Sequence, residues 1–285
     1  MTSEIETTGS TGATAPRGRR GIRALDRWSR TLMRALTALL VLLLLFPAVM
    51  VILMSFSGDS LMRFPPESWG LVHYETLFST PKWGDAIWLS IRLSIATALV
   101  SVLLAVPTAL VLRRTRLPAR VRSLIEGAGL IALVLPLAAY AVALYAVFVQ
   151  FGLLRNFWGL TLASVLISYP LTFLVVQAAL ARLPIELELA AITMGASRAR
   201  AWLTITVRLL LPSIASGGLL AFITAFDEAV FVSFLGGRGL TTLPKAILDS
   251  ILWELSPVIT AISSLVIVAT VLLMLLVNLL QRGRR

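Results

Sequence analysis

Runs of about 20 apolar residues constrain this chain more than any other feature. They cover 36–54, 87–112, 124–149, 160–181, 214–235 and 258–280. In hydrocarbon the backbone must satisfy its own hydrogen bonds, so such runs are stable only as helices. The expected fold class is all-α: a polytopic membrane protein with six transmembrane helices. Composition agrees, with 58% hydrophobic and 14% charged residues, where soluble domains carry about a quarter charged. Arginines precede the first run, as in a secretory signal. Its apolar stretch is longer than a signal core and no small-residue cleavage site follows, so it reads as a retained helix.

Charge sets the expected topology. Seven arginines from Arg17 to Arg34 precede the first run, and Arg113, Arg114, Arg116, Arg120 and Arg122 separate the second from the third. Arg182, Arg198, Arg200 and Arg208 lie between the fourth and fifth, and Arg282, Arg284 and Arg285 end the chain. The alternate loops hold only Arg63 and Lys82, then Arg155, then Arg238 and Lys245. Basic loops stay cytoplasmic, so both termini are expected inside. The net charge of +11 then reports loop retention, and nucleic acid is not an expected partner.

The chain divides accordingly. Residues 1–30 read as a disordered, basic cytoplasmic tail, poor in bulky apolar side chains at its start. Residues 31–86 hold the first helix and an external loop, 87–281 hold five helices, and 282–285 form a cytoplasmic end. In the external loop, "FPPESWGLVHYETLF" predicts an extended turn at Pro65 and Pro66 and then a short helix, with Trp and Tyr at the membrane–water interface. His73 reads as a surface residue of that loop. Pro107, Pro136 and Pro170 fall inside spans and should kink them.

Several chemistries are poorly served. There is no Cys and one His, which leaves no thiol chemistry and no multi-His metal site. No phosphate-cradling G-x-x-x-x-G-K-[ST] run occurs. No catalytic residue, metal or cofactor is therefore assigned.

One polar stretch interrupts this apolar chain: "ELELAAITMGASRARAW", 186–202. Pro184 stands just before it, as at a helix start. Residues 186–194 are good helix formers, Gly195 interrupts them, and 198–208 predict a second helix with Trp202, Ile205 and Leu209 on one side. Small Ala190 and Ala191 permit close approach of another surface. A solvated loop and a docking surface fit this pattern equally well.

The motif shifts that balance. "LAAITMGASRARAWLTITVRLLLP" resembles the EAA signature of binding-protein-dependent ABC transporter permeases. Ala190, Ala191, Gly195, Ala196 and Ser197 match it, and Trp202 takes the place of a usual aromatic. Leu189 stands where the glutamate usually falls, with Glu188 adjacent, and Arg208 stands where the first proline falls, with Pro212 matching the second. "AFITAFDEAVFVSFLGGRGLTTLPKAILDSI" and the following "SPVITAISSLVIVATVLLMLL" are similar to the corresponding end of spermidine/putrescine permeases. Ferric-ion and opine permeases share parts of that pattern.

The resemblance implies a type I ABC importer permease fold in a bacterial inner membrane. It implies a loop at about 182–213 that couples to a separate ATPase dimer through Glu188, Ala190, Ala191, Gly195, Ala196, Ser197 and Trp202. It also implies a second, homologous permease and an external solute-binding protein, with membrane lipid around the whole. ATP hydrolysis would reside in the ATPase, so this chain is not expected to be an enzyme. The expected substrate is a polyamine, with an opine, ferric ion or amino-acid derivative as alternatives.

Asp227 and Glu228 lie inside the fifth run, where ionisable groups face a cavity or a partner. Adjacent helical residues diverge by about 100°, so at most one is expected to face a pathway. The other reading is that both are structural, bonded to helix ends or to Arg92. Tyr140, Tyr145, Gln150, Tyr169 and Gln177 are weaker pore candidates, since single polar residues more often join helices. An ion-driven secondary transporter would need no cytoplasmic docking loop. A membrane enzyme would need a catalytic constellation that one His and one acid pair do not supply.

Overall fold

The computed structural model describes residues 18–60, 63–115, 117–237, 239–254 and 256–282. The tail before residue 18 and the end after 282 lie outside them. The described chain is built of helices: α1 (Gly18–Ser55), α2 (Val72–Ser79), α3 (Pro81–Arg114), α4 (Ala119–Val134), α5 (Leu137–Gln150) and α6 (Phe157–Arg182) come first. There follow α7 (Glu186–Thr193), α8 (Arg198–Ala201), α9 (Val207–Phe226), α10 (Val230–Leu235), α11 (Leu243–Asp249) and α12 (Val258–Arg282).

Local sequence explains the boundaries. Pro81 occupies the first position of α3, where its missing N–H costs nothing. Asn156 caps α6 by accepting a hydrogen bond from the Trp158 N–H at 2.8 Å. Residues 18–30, expected as part of the tail, extend α1 as helix. No proline interrupts them after Pro16.

Proline acts differently at each position. Pro107 and Pro170 sit within α3 and α6, which run through them as single helices. Pro136 divides the third span into α4 and α5: Leu135 before it takes extended geometry (φ −70°, ψ 137°), as the proline ring demands. The fifth span is also broken, between Phe226 and Val230.

The spans pack around α3, α6 and α9. Ser90, Ser94, Thr97 and Ser101 of α3, Thr161, Ser164, Ser168 and Thr172 of α6, and Gly217, Ala221 and Ala225 of α9 are all buried. Small side chains let helix backbones approach where lipid supplies no hydrophobic drive for association. A β-carbon on Gly217 would stand 3.2 Å from the Thr172 methyl, and the Thr172 hydroxyl donates to the Gly217 carbonyl at 3.1 Å. Leu93, Leu160, Phe231 and Leu235 belong to one apolar cluster of this bundle, and Phe173, Val176, Leu180 and Leu210 to another. α1 packs chiefly on α12. Its apolar stretch Arg30–Ser55 is otherwise turned outward, as suits a lipid-facing helix.

The short helix expected in the first long loop is α2. His73 is a correction: it is buried, not on the surface. α2 lies against α12 and α3, and both His73 and Leu77 on it are buried. Burial holds its pKa below the ordinary 6.5, partly offset by the Asp59 carbonyl and carboxylate.

Candidate functional site: a folded loop and a broken span

The polar stretch after α6 is an ordered unit. α7 ends in a hydrogen-bond pattern that stops a helix: the Gly195 N–H donates to the Ile192 carbonyl at 2.9 Å and the Ala196 N–H to the Ala191 carbonyl at 3.0 Å. This pairing requires a left-handed residue at the turn. Gly195 supplies it with φ +93°, a conformation costly for a side chain. Ser197 then caps α8, its hydroxyl accepting from the Arg200 N–H at 3.3 Å. A π-helical turn, Trp202–Thr206, joins α8 to α9.

A buried ion pair fixes α7 to the bundle. The Glu188 Oε1 lies 2.9 Å from both Nε and Nη2 of Arg114, at the end of α3, with both side chains about 95% covered. The Thr206 hydroxyl donates to the same oxygen. One carboxylate thus ties together α3, α7 and the start of α9. The side chain of Glu188, expected among the coupling residues, faces inward onto Arg114 and Thr206. Ala190, Gly195 and Ser197 are exposed, Ala191, Ala196 and Trp202 half-buried.

The outward side of this unit carries apolar groups. Leu187 and Leu189 are exposed and Met194 is 88% exposed. The displaced glutamate position is thereby explained: Leu189 lies on the open side and Glu188 takes the inward one. Arg208 is exposed in the first turn of α9, and Pro212 is accommodated inside the same helix.

The second candidate site is the break in the fifth span. Glu228 is buried, and its carboxylate accepts from the Val230 N–H at 2.7 Å and the Phe231 N–H at 2.9 Å. It ties down the start of α10, which is the helix-end role weighed from sequence. Arg92 is not its partner: that guanidinium lies 5.4 Å over the Phe157 ring. Asp227 is exposed and occupies the C-terminal end of α9. Terminal carbonyls there favour a cation.

The weaker pore candidates do not form one group. Tyr140 packs edge-on against Phe231, and Tyr169 stacks on Phe173. Tyr145 and Gln150 are exposed, and Gln177 lines a separate cavity at the arginine-rich end. No group of three or more metal-ligating side chains occurs among the described residues. Sequence reasoning missed Arg114 as the partner of Glu188; its place as the last residue of a span, next to another arginine, was the available signal.

A bundle of apolar helices carrying a folded polar loop after α6 is a membrane-protein architecture. The chain belongs to the family of binding-protein-dependent transport system inner membrane components, whose profile matches residues 101–283. It is 28% identical over 240 residues to the spermidine/putrescine transport system permease protein PotC of Haemophilus influenzae, covering 84% of this chain and 92% of that one. It is 28% identical over 229 residues to the putrescine transport system permease protein PotI of Escherichia coli K12, covering 78% and 80%. The molybdenum transport system permease protein ModB of Mycobacterium tuberculosis is 33% identical over 199 residues, covering 64% of this chain and 72% of that one.

Among solved structures, a bacterial ABC transporter for import of the acidic polysaccharide alginate superposes with a TM-score of 0.67 at 16% identity. The match covers 90% of this chain and 96% of that one. At that identity the likeness shows the fold. The chain is an ABC importer permease, a transport subunit of the type I fold rather than a catalytic one.

Proposed function

We propose that this permease forms half of a polyamine pathway and receives the motion of a separate ATPase dimer through α7. The observation that carries the coupling reading is the construction of the loop. A rigid helix end, stopped by Gly195 and anchored by Glu188–Arg114, presents Leu189, Ala190 and Met194 outward. A solvated loop would not need a buried ion pair to hold apolar groups in the open. A second homologous permease completes the pathway, and a solute-binding protein delivers substrate from outside. ATP binding draws the ATPase subunits together and moves α7 on each permease; the anchor passes that movement to α3 and α9. Both termini and the arginine-rich loops lie in the cytoplasm.

Asp227 supports the choice of substrate. A carboxylate at the C-terminal end of a half-helix suits an ammonium group and repels an oxyanion. That favours the polyamine transported by PotC and PotI over the molybdenum species of ModB. Glu228, spent on the α10 N–H groups, is a positioning residue. The test is uptake of labelled putrescine and spermidine per assembled complex. Asp227→Asn should slow uptake with normal membrane abundance. Wild-type uptake kinetics in that variant would remove Asp227 from the pathway.

A further inference from the structure

A cavity of about 290 Å³ lies where α3 ends, between α4 and α6, and is lined by Arg113, Arg122, Leu174, Gln177, Ala178 and Ala181. We propose that it holds the headgroup and upper acyl chain of an anionic phospholipid.

The lining is graded as an amphiphile requires. Arg113 is in the last turn of α3 and Arg122 is in the first turn of α4. Leu174, Gln177, Ala178 and Ala181 recur at three- and four-residue spacing, which places them on one face of α6. From Ala181 back to Leu174 that face runs about 10 Å along the span. One end of the cavity is therefore cationic and lies at the helix termini. The other is apolar and reaches into the hydrocarbon depth. Among the described residues that line it, none is a carboxylate.

The last turn of α6 presents carbonyls, which disfavour an anion. Arg113 covers one of them, its Nη2 donating to the Ala181 oxygen at 3.4 Å, and this uses one of five guanidinium donors. The neighbouring Arg114 is occupied by Glu188. The adjacent arginines thus divide: one anchors the loop and the other faces the cavity. Basic pockets between spans at a helix-terminal level are suited to acidic lipid headgroups. A soluble phosphate would match the arginine end and leave the apolar wall along α6 unused.

The experiment uses the assembled transporter in nanodiscs of phosphatidylcholine with a minor share of phosphatidylglycerol. Lipid retained through delipidating washes is quantified by mass spectrometry. Wild type should retain phosphatidylglycerol selectively. The double variant Arg113→Gln with Arg122→Gln should retain it about tenfold less. Leu174→Trp, which fills the apolar wall and keeps both arginines, should lose it as well. Unchanged retention in either variant overturns the proposal. So does displacement of the lipid by millimolar inorganic phosphate, which would mark a site for soluble anions. Uptake is not the readout, so this result stands apart from the coupling and substrate assignments.

Discussion

Replacing Glu188 by Ala should release the loop between α6 and α9 without dismantling the bundle. The perturbation strands the Arg114 guanidinium, which is about 95% covered, and removes the acceptor of Thr206. Breaking one side of a buried ion pair costs about 3–5 kcal/mol. At about 1.4 kcal/mol per decade, that is roughly two to four orders of magnitude in the local opening equilibrium. Where the loop's own opening free energy is smaller, exchange rises to the unprotected rate. Hydrogen exchange of peptides spanning 185–197 reads this directly, because the Gly195 and Ala196 amides are the donors that close α7. Arg114→Ala should act alike. The double variant Arg114→Leu with Glu188→Leu puts apolar groups at both positions and should restore most of the protection, since such replacements are close to neutral. Peptides from α3 and α6 should exchange as in wild type throughout. Wild-type exchange at 185–197 in both single Ala variants would refute the anchor. So would a double Leu variant that opens as readily as the worse single one.

Four other outcomes follow from named contacts. Gly195→Ala at φ +93° should cost about 1–2 kcal/mol of loop stability, and Gly195→Asp should leave the subunit in the membrane yet abolish uptake; normal assembly with normal uptake would contradict this. Glu228→Ala leaves the Val230 and Phe231 N–H groups unpaired, at about 1–3 kcal/mol each, so thermal stability should fall in Glu228→Ala and stay level in Asp227→Ala. Gly159→Ala places a β-carbon 2.0 Å from the Leu153 carbonyl oxygen and should lower membrane abundance more than Gly84→Ala, where nothing stands within 4 Å. Burial keeps His73 below its ordinary 6.5, so the unfolded segment takes up a proton more readily than the folded one. Protection of α2 should therefore decline as pH falls below 6.5, and His73→Phe should flatten that dependence between about pH 5 and 7.5.

Much of this molecule was legible from apolar runs and arginine placement, because lipid leaves few options for a backbone. The spans, α2 after Pro65 and Pro66, and the helix–Gly–helix shape around Gly195 all follow from local rules. The breaks at Pro136 and after Phe226 were less visible. Hydropathy averages over them, and only the backbone shows that Leu135 turns extended and that Glu228 closes a new helix start. The outward and inward sides of α7 were also hidden from the one-dimensional reading. Period alone does not tell which side meets Arg114, 74 residues earlier. His73 was misplaced because a loop position by itself does not show that its side chain is buried beside Asp59.

Docking of α7 on a separate ATPase is tested most directly at its exposed end. The chain has no cysteine, and Met194 is 88% exposed at the tip of the loop. A single Met194→Cys, carrying a short photo-activated cross-linker in the assembled transporter, tests the contact directly. An adduct with the ATP-binding subunit is expected, with loss of ATP-driven uptake once it forms. Adducts with lipid alone, with uptake continuing undiminished, would contradict it.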